Sequence, residues 1–235
     1  MIQIVSDHEK YFDKDYVLDF YKMASAVTRD ETTICEGSAL SGNLVPLIYS
    51  LNCHITRPDL LIIGDDAVVF ADVSARLLRY FGYPAIAHIA IPTIPGCNGQ
   101  KMSCSTLDFL LDPLDTPKQT KTKISRSFCE PGNLEGNVAM QLADLFVFPL
   151  LNGASLSIPR SPDNGGDVSV TNYKELEHEF VTGTNPEFPL HPGDLKGAVV
   201  GFINGFFDGI RADFADKARL KLVTDAFATS KGKKK

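Results

Sequence analysis

Two short stretches of the chain carry residue types that can do chemistry at a usable spacing. The first is Lys101-Met102-Ser103-Cys104-Ser105, directly behind Pro95-Gly96-Cys97-Asn98-Gly99-Gln100. A lysine on a glycine-flanked loop can meet the charge that builds on a leaving phosphate group, and neighbouring hydroxyls and amide N–H groups add hydrogen bonds. The bland alternative is a surface lysine in a turn. The second stretch is His191-Pro192-Gly193-Asp194-Leu195-Lys196, at the opening of a helical pattern. There Pro192 suits a first turn, and Asp194 is a favourable charge at a helix N-terminus. Metal and thiol chemistry find less support. The five cysteines sit at no metal-ligand or redox spacing, and the five histidines are dispersed, which argues against zinc.

The elements that must position these residues change character along the chain. Ile2–Val5 reads as a strand, Asp13–Val27 as a helix with apolar residues at helical spacing, and Ser38–Cys53 as a helix weakened by Gly42 and Pro46. Asp59–Gly64 reads as a buried parallel strand, Asp65 and Asp66 as caps of a helix running to Phe81, and Ala85–Ile91 as another strand. That order suggests part of a doubly wound α/β sheet. Beyond the boundary expected near Asp112-Pro113 the pattern is helical, over Thr116–Phe128, Glu135–Leu150, Tyr173–Phe180 and Gly193–Phe214, with a loop or short hairpin between Ser155 and Thr171. Gly197, Gly201, Gly205 and Gly209 form one helical stripe, for which close approach of another helix is the expected compensation. At 235 residues, 44% hydrophobic and 22% charged, the chain reads as an ordinary globular protein, neither disordered nor fibrous. No apolar run is long enough for a membrane span. A net charge of −6 excludes coating nucleic acid by bulk charge but leaves room for a local basic site.

The Lys101–Ser105 stretch resembles the Lys-Met-Ser-Lys-Ser loop of class I aminoacyl-tRNA synthetases. Ser127-Phe128-Cys129-Glu130-Pro131-Gly132-Asn133 and His191–Lys196 follow in the order found in the helical domain of eukaryotic and archaeal tyrosyl-tRNA synthetases. The resemblance runs from about residue 2 to about residue 215. It implies an α/β fold, with a partial Rossmann-like parallel sheet over 1–112 and a mostly α-helical anticodon-binding domain over 113–225. A flexible basic tail follows at 226–235. The implied partner is tRNA(Tyr), the implied place the cytoplasm, and the implied cofactor of a complete enzyme ATP with magnesium.

Departures from that family shape the functional expectation. No His-x-Gly-His stretch is present to hold ATP phosphates. Where the family carries a tyrosine, a glutamine and an aspartate around its amino-acid substrate, this chain has Val45, Tyr49 and Asn52. The family's Gly-Gly-Val-Asp-Gln-Arg-Lys matches Ile63–Val69, in which Asp66 is kept but Ala67 replaces the glutamine and both basic residues are lost. Losing a buried partner costs discrimination, so the half-fold reads as a degenerate tyrosine pocket with no confident catalytic residue and no cofactor of its own. By the resemblance His191 and Asp194 meet the first anticodon base, a guanine, whose N1–H and N2–H₂ a carboxylate accepts side by side. The family's stacking aromatic before a Gly-Gly pair is replaced by Asn164, with Tyr173 and Phe180 as candidate stand-ins. Lys118, Lys121, Lys123 and Arg126 read as a solvated face, or as phosphate contacts.

Three functions follow as expectations. The first is a tRNA-binding half, like the second copy of a protozoan tandem enzyme, that serves a catalytic half or pseudo-dimer partner and activates no tyrosine itself. The second is an interaction module that binds no RNA. The third is an active ligase.

Overall fold

The structure, a computed structural model, describes residues 14–34 and 40–226. The strand expected at Ile2–Val5, the start of the helix expected from Ser38, and the basic tail beyond 226 lie outside the described residues. Two compact units meet between Thr93 and Ile94.

In the first unit, α1 (Lys14–Ala24) buries Tyr16 and Met23, and a Thr28–Glu31 capping box starts α2 (Arg29–Thr32). The single helix expected over Ser38–Cys53 is two, α3 (Leu40–Asn43) and α4 (Val45–Thr56). Pro46 sits in the first turn of α4, where its missing N–H has no partner to lose, so it starts a helix and does not kink one. Strand β1 (Leu60–Gly64) pairs in parallel with β2 (Ala87–Ile91) through the crossover helix α5 (Val68–Tyr80). Asp65 and Asp66 form a 3₁₀ turn, Asp65–Ala67, without capping α5. The Asp65 carboxylate instead accepts from the backbone N–H of Thr93 at 3.0 Å and from its hydroxyl, which ties the segment after β2 to the end of β1.

The expectation of a buried strand is corrected. Leu61 packs with Leu47, Leu51 and Leu78 of the first core. The register sets Leu60 and Ile62 beside Ala87 and Ile89, on the opposite face that Ile91 shares. On that face Leu60, Ile62, Ile89 and Ile91 are 46%, 67%, 53% and 49% exposed. Parallel sheets are normally covered by helices on both faces. Here α4 and α5 pack together, and among the described residues no helix covers the face carrying Ile62.

The second unit is mostly helical: α6 (Pro117–Arg126), α7 (Val138–Leu142), α8 (Phe148–Leu151), α9 (Tyr173–Val181), α10 (Pro192–Asp213) and α11 (Lys217–Ala226). A π-helical turn, Ala143–Val147, joins α7 to α8. Strands β3 (Leu156–Ile158) and β4 (Val168–Val170) make the antiparallel hairpin that the Pro/Gly-rich stretch permits. Ile124, Leu142, Ile158, Phe180, Leu195 and Val199 meet in its core. Cys97 and Leu111 belong to the same core, and the Cys97 N–H donates to Phe109 O at 2.9 Å. The segment from Ile94 to Asp112 therefore folds with the helices, upstream of the division read at Asp112-Pro113.

The glycine stripe is a second correction. The buried side of α10 is carried by Leu195, Val199, Ile203 and Phe207. A β-carbon added at Gly197, Gly201, Gly205 or Gly209 would meet no heavy atom within 4 Å, so no helix among the described residues packs on the stripe. The spacing showed that the four share a face, but not what lies opposite it. Their cost to the helix therefore stands uncompensated. Gly201→Ala and Gly205→Ala are each expected to stabilise the protein by about 0.8–1.0 kcal/mol. Thermal or urea unfolding would show it, and a loss of stability would mean the stripe is in contact.

Candidate nucleic-acid interface

Helix α10 opens with a cap made by its own first residues. His191 is the N-cap, its Nδ1 accepts from the Gly193 N–H at 3.0 Å, and Pro192 is buried behind it. An acceptor Nδ1 leaves the proton of a neutral ring on Nε2, so the exposed edge of His191 is a donor. Asp194, one position further, lies in the first helical turn.

The structure adds a residue the sequence did not single out. Arg160, just past β3, has its side chain 3% exposed, and its Nε stands 3.6 Å from Oδ2 of Asp194. That distance makes an ion pair and not a hydrogen bond. Arg160 Nη2 donates to Phe188 O at 3.0 Å and Pro189 O at 3.3 Å, and its backbone N–H donates to Asp167 Oδ1 at 2.8 Å. Because Oδ2 of Asp194 is buried against the guanidinium, the other oxygen carries the exposed surface of the carboxylate. Both oxygens are not free to accept side by side. No local pattern could have announced Arg160, since its partner lies 34 positions downstream in another element.

The two expected stand-in aromatics differ in burial. Phe180 is 1% exposed in the second core, and Tyr173 packs against that core, where burial pushes its phenol up. Asn164 is exposed at the end of a 3₁₀ turn, Pro162–Asn164, followed by Gly165 at φ 90° and Gly166 at φ 76°. The basic face of α6 is likewise divided. Lys118, Lys121 and Arg126 are exposed, whereas Lys123 Nζ donates to Asp115 Oδ2 at 2.6 Å and to Leu110 O at 2.7 Å. Lys123 is thus a structural cation and no part of a solvated face.

The Lys101–Ser105 stretch lies in a tight hairpin. Gly96 N–H donates to Gln100 O at 2.7 Å and Met102 N–H to Ile94 O at 3.0 Å, with Gly99 at φ 79°. Met102 packs on the second core, Ser103 Oγ accepts from Ser105 N–H at 3.1 Å, and Lys101, Cys104 and Ser105 are exposed. Burial pushes the nearby Cys97 thiol up to about 11, against the pull of Lys123, so it stays a protonated packing group.

On α4, Val45, Tyr49 and Asn52 share one face at helical spacing. Val45 and Asn52 are exposed, whereas Tyr49 turns inward with a buried hydroxyl that has no hydrogen-bond partner, and its phenol is pushed up by burial. The void bounded by Tyr49, Cys53, Leu61 and Ser74 measures about 10 Å³, room for one water at most and not for an amino-acid side chain. Asp66 is exposed and Ala67 half-buried at the turn after β1. Among the described residues no group of three or more His, Cys, Asp or Glu is placed to hold a metal ion. No helix among them is long and apolar enough to cross a membrane.

No protein-family model matches the chain. The cytoplasmic tyrosine–tRNA ligase of Danio rerio is 30% identical over 234 residues, covering 96% of this chain and 43% of that protein. The enzyme of Haloarcula marismortui is 29% identical over 218 residues, covering 88% of this chain and 62% of its own length. Among solved structures, tyrosyl-tRNA synthetase from Archaeoglobus fulgidus complexed with L-tyrosine superposes with a TM-score of 0.72 at 28% identity, over 87% of this chain and 64% of that one. The Leishmania major enzyme in complex with tyrosinol shares the fold, with a TM-score of 0.76 at 17% identity, over 97% of this chain and 35% of that one. The helix-rich α/β chain with its small parallel sheet is therefore homologous, over nearly its whole length, to the tyrosyl-tRNA synthetases of eukaryotes and archaea, and it spans under half the length of the vertebrate relative.

Proposed function

We propose that the chain works in translation as an anticodon-reading half of a tyrosyl-tRNA synthetase. Residues 113–225 bind tRNA(Tyr), and a separate catalytic half activates tyrosine with ATP and magnesium. The observation that carries this reading is the contrast between two sites. At the opening of α10, His191 offers an Nε2–H donor and Asp194 an outward oxygen on a carboxylate fixed by Arg160. Where the family holds its amino-acid substrate, this chain offers Val45, Tyr49 and Asn52, and the Tyr49 hydroxyl is buried without a hydrogen-bond partner. The exposed Asp194 oxygen accepts from N1–H or N2–H₂ of guanine, while adenine presents a bare acceptor at N1. Its likeness to the cytoplasmic tyrosine–tRNA ligase of Danio rerio supports a cytoplasmic setting.

The test is made on the RNA, because removing Asp194 would strand the buried Arg160 charge and confound binding with folding. The chain is titrated with tRNA(Tyr) carrying guanine or adenine at the first anticodon position. Adenine is expected to weaken binding by about 1–3 kcal/mol, by analogy with other base readout. Equal affinities, or none, would refute the anticodon role. In the same preparation ATP–pyrophosphate exchange is expected to stay at background, and measurable exchange would refute the inactive reading.

A second reading draws on the bare sheet face. An interaction module that binds no RNA would use Leu60, Ile62, Ile89 and Ile91 as its contact surface. The titration separates the two, since only the first reading binds RNA with a base preference.

A further inference from the structure

If the anticodon reading is right, the base held at Asp194 needs a flat apolar surface, and the three side chains the sequence offers do not supply one. Asn164 has no ring, Phe180 is buried in the second core, and Tyr173 is half-buried with its ring packed against that core. Phe188 is a different case. It is 37% exposed, in the loop that leads into His191. A β-carbon built on Gly165 would stand 3.0 Å from Phe188 Cβ and 3.5 Å from its Cγ, so glycine lets this side chain lie directly on the Gly165-Gly166 loop. Any larger residue there would have to push it away, and at φ 90° would also be strained.

The same guanidinium holds the main chain at Phe188 and faces the Asp194 carboxylate. Arg160 Nη2 holds the carbonyls of Phe188 and Pro189 while its Nε faces Asp194. The backbone of Phe188 and the carboxylate of Asp194 are therefore both held by one buried side chain, a single rigid planar group. Such a pairing of an exposed aromatic with an acceptor is what a splayed-out single-stranded base requires: a face to stack on and an edge to read.

We propose that Phe188 is the stacking platform for the purine whose edge Asp194 reads, replacing the ring absent at Asn164. The ring supplies affinity for any base, and the carboxylate supplies the preference for guanine. This rests on the anticodon reading, and the experiment keeps the two apart.

The full chain is titrated with three tRNA(Tyr) molecules, bearing guanine, adenine or no base at the first anticodon position. The unaltered chain is compared with Phe188→Leu, which keeps apolar bulk on Gly165 and so protects folding, and with Phe188→Tyr, which keeps the ring. Phe188→Leu is expected to weaken the guanine RNA roughly ten- to one-hundredfold, the range of one base–aromatic stack, and to weaken the abasic RNA less than twofold. Phe188→Tyr should bind within about threefold of the unaltered chain. The ratio of guanine to adenine affinity should survive in Phe188→Leu, because edge reading stays with Asp194. Equal losses for guanine and abasic RNA would overturn the stacking role in favour of a loop-shaping one, and so would no loss at all. An unaltered chain that binds none of the RNAs, or all three alike, overturns the anticodon reading and the platform with it.

Discussion

Replacing Arg160 by leucine is expected to destabilise the second unit by about 3–5 kcal/mol, read as a lowered midpoint in urea unfolding. The size follows from what the side chain leaves behind. Asp194 Oδ2 is buried with only the guanidinium facing it, and Phe188 O and Pro189 O lose their donor at the same stroke. Breaking one side of a buried ion pair strands a charge, whereas an ordinary exposed pair contributes under about 1 kcal/mol. The Asp194 side chain is 25% exposed, so some water can reach it, which favours the lower end of the range. A double variant, Arg160→Leu with Asp194→Ala, should cost less than the two single changes added together, because neither charge is then left alone. Additive losses, or an Arg160→Leu cost below about 1 kcal/mol, would mean the pair is not formed in solution.

Lys123→Met should cost about 3 kcal/mol, while Lys121→Met on the same helix should stay within about 0.5 kcal/mol. Lys123 joins Asp115 and the Leu110 carbonyl, and Arg211 closes the other side by donating to Asp115 O at 2.7 Å and Asn204 Oδ1 at 2.9 Å. Asp115 is 9% exposed, so losing the ammonium leaves a carboxylate largely shut away from water. Methionine keeps the length and the apolar stem, which confines the change to charge and donors. The comparison also tests function. A phosphate contact at Lys123 would show as a reduced salt dependence of RNA binding with stability unchanged. The expected outcome is the reverse, with stability lost and the salt slope kept.

What the sequence made legible was what depends on near neighbours along the chain. The opening of α10 is such a case: His191 caps the helix through the Gly193 N–H two residues on, and Pro192 and Asp194 lie in its first turn. The helix at Tyr173–Val181 was readable from its period, and the crossover of β1 and β2 from the order of elements. What failed depends on residues far away. The stripe at Gly197–Gly209 gives a shared face, but only the tertiary fold says whether anything covers it. Leu60–Gly64 is an apolar run that would suit a buried strand, yet burial belongs to its neighbours, and one side has none. Arg160 was invisible for the same reason, as was the difference between Lys121 and Lys123, two lysines on one helix of which one turns inward.

The bare face of β1–β2 also governs how the chain behaves as its concentration rises. Two parallel strands offer ladder groups along their outer edges, beside a face of four exposed branched aliphatics. Such a template recruits further strands, including those of other copies, and excluded salts such as sulfate strengthen the pull.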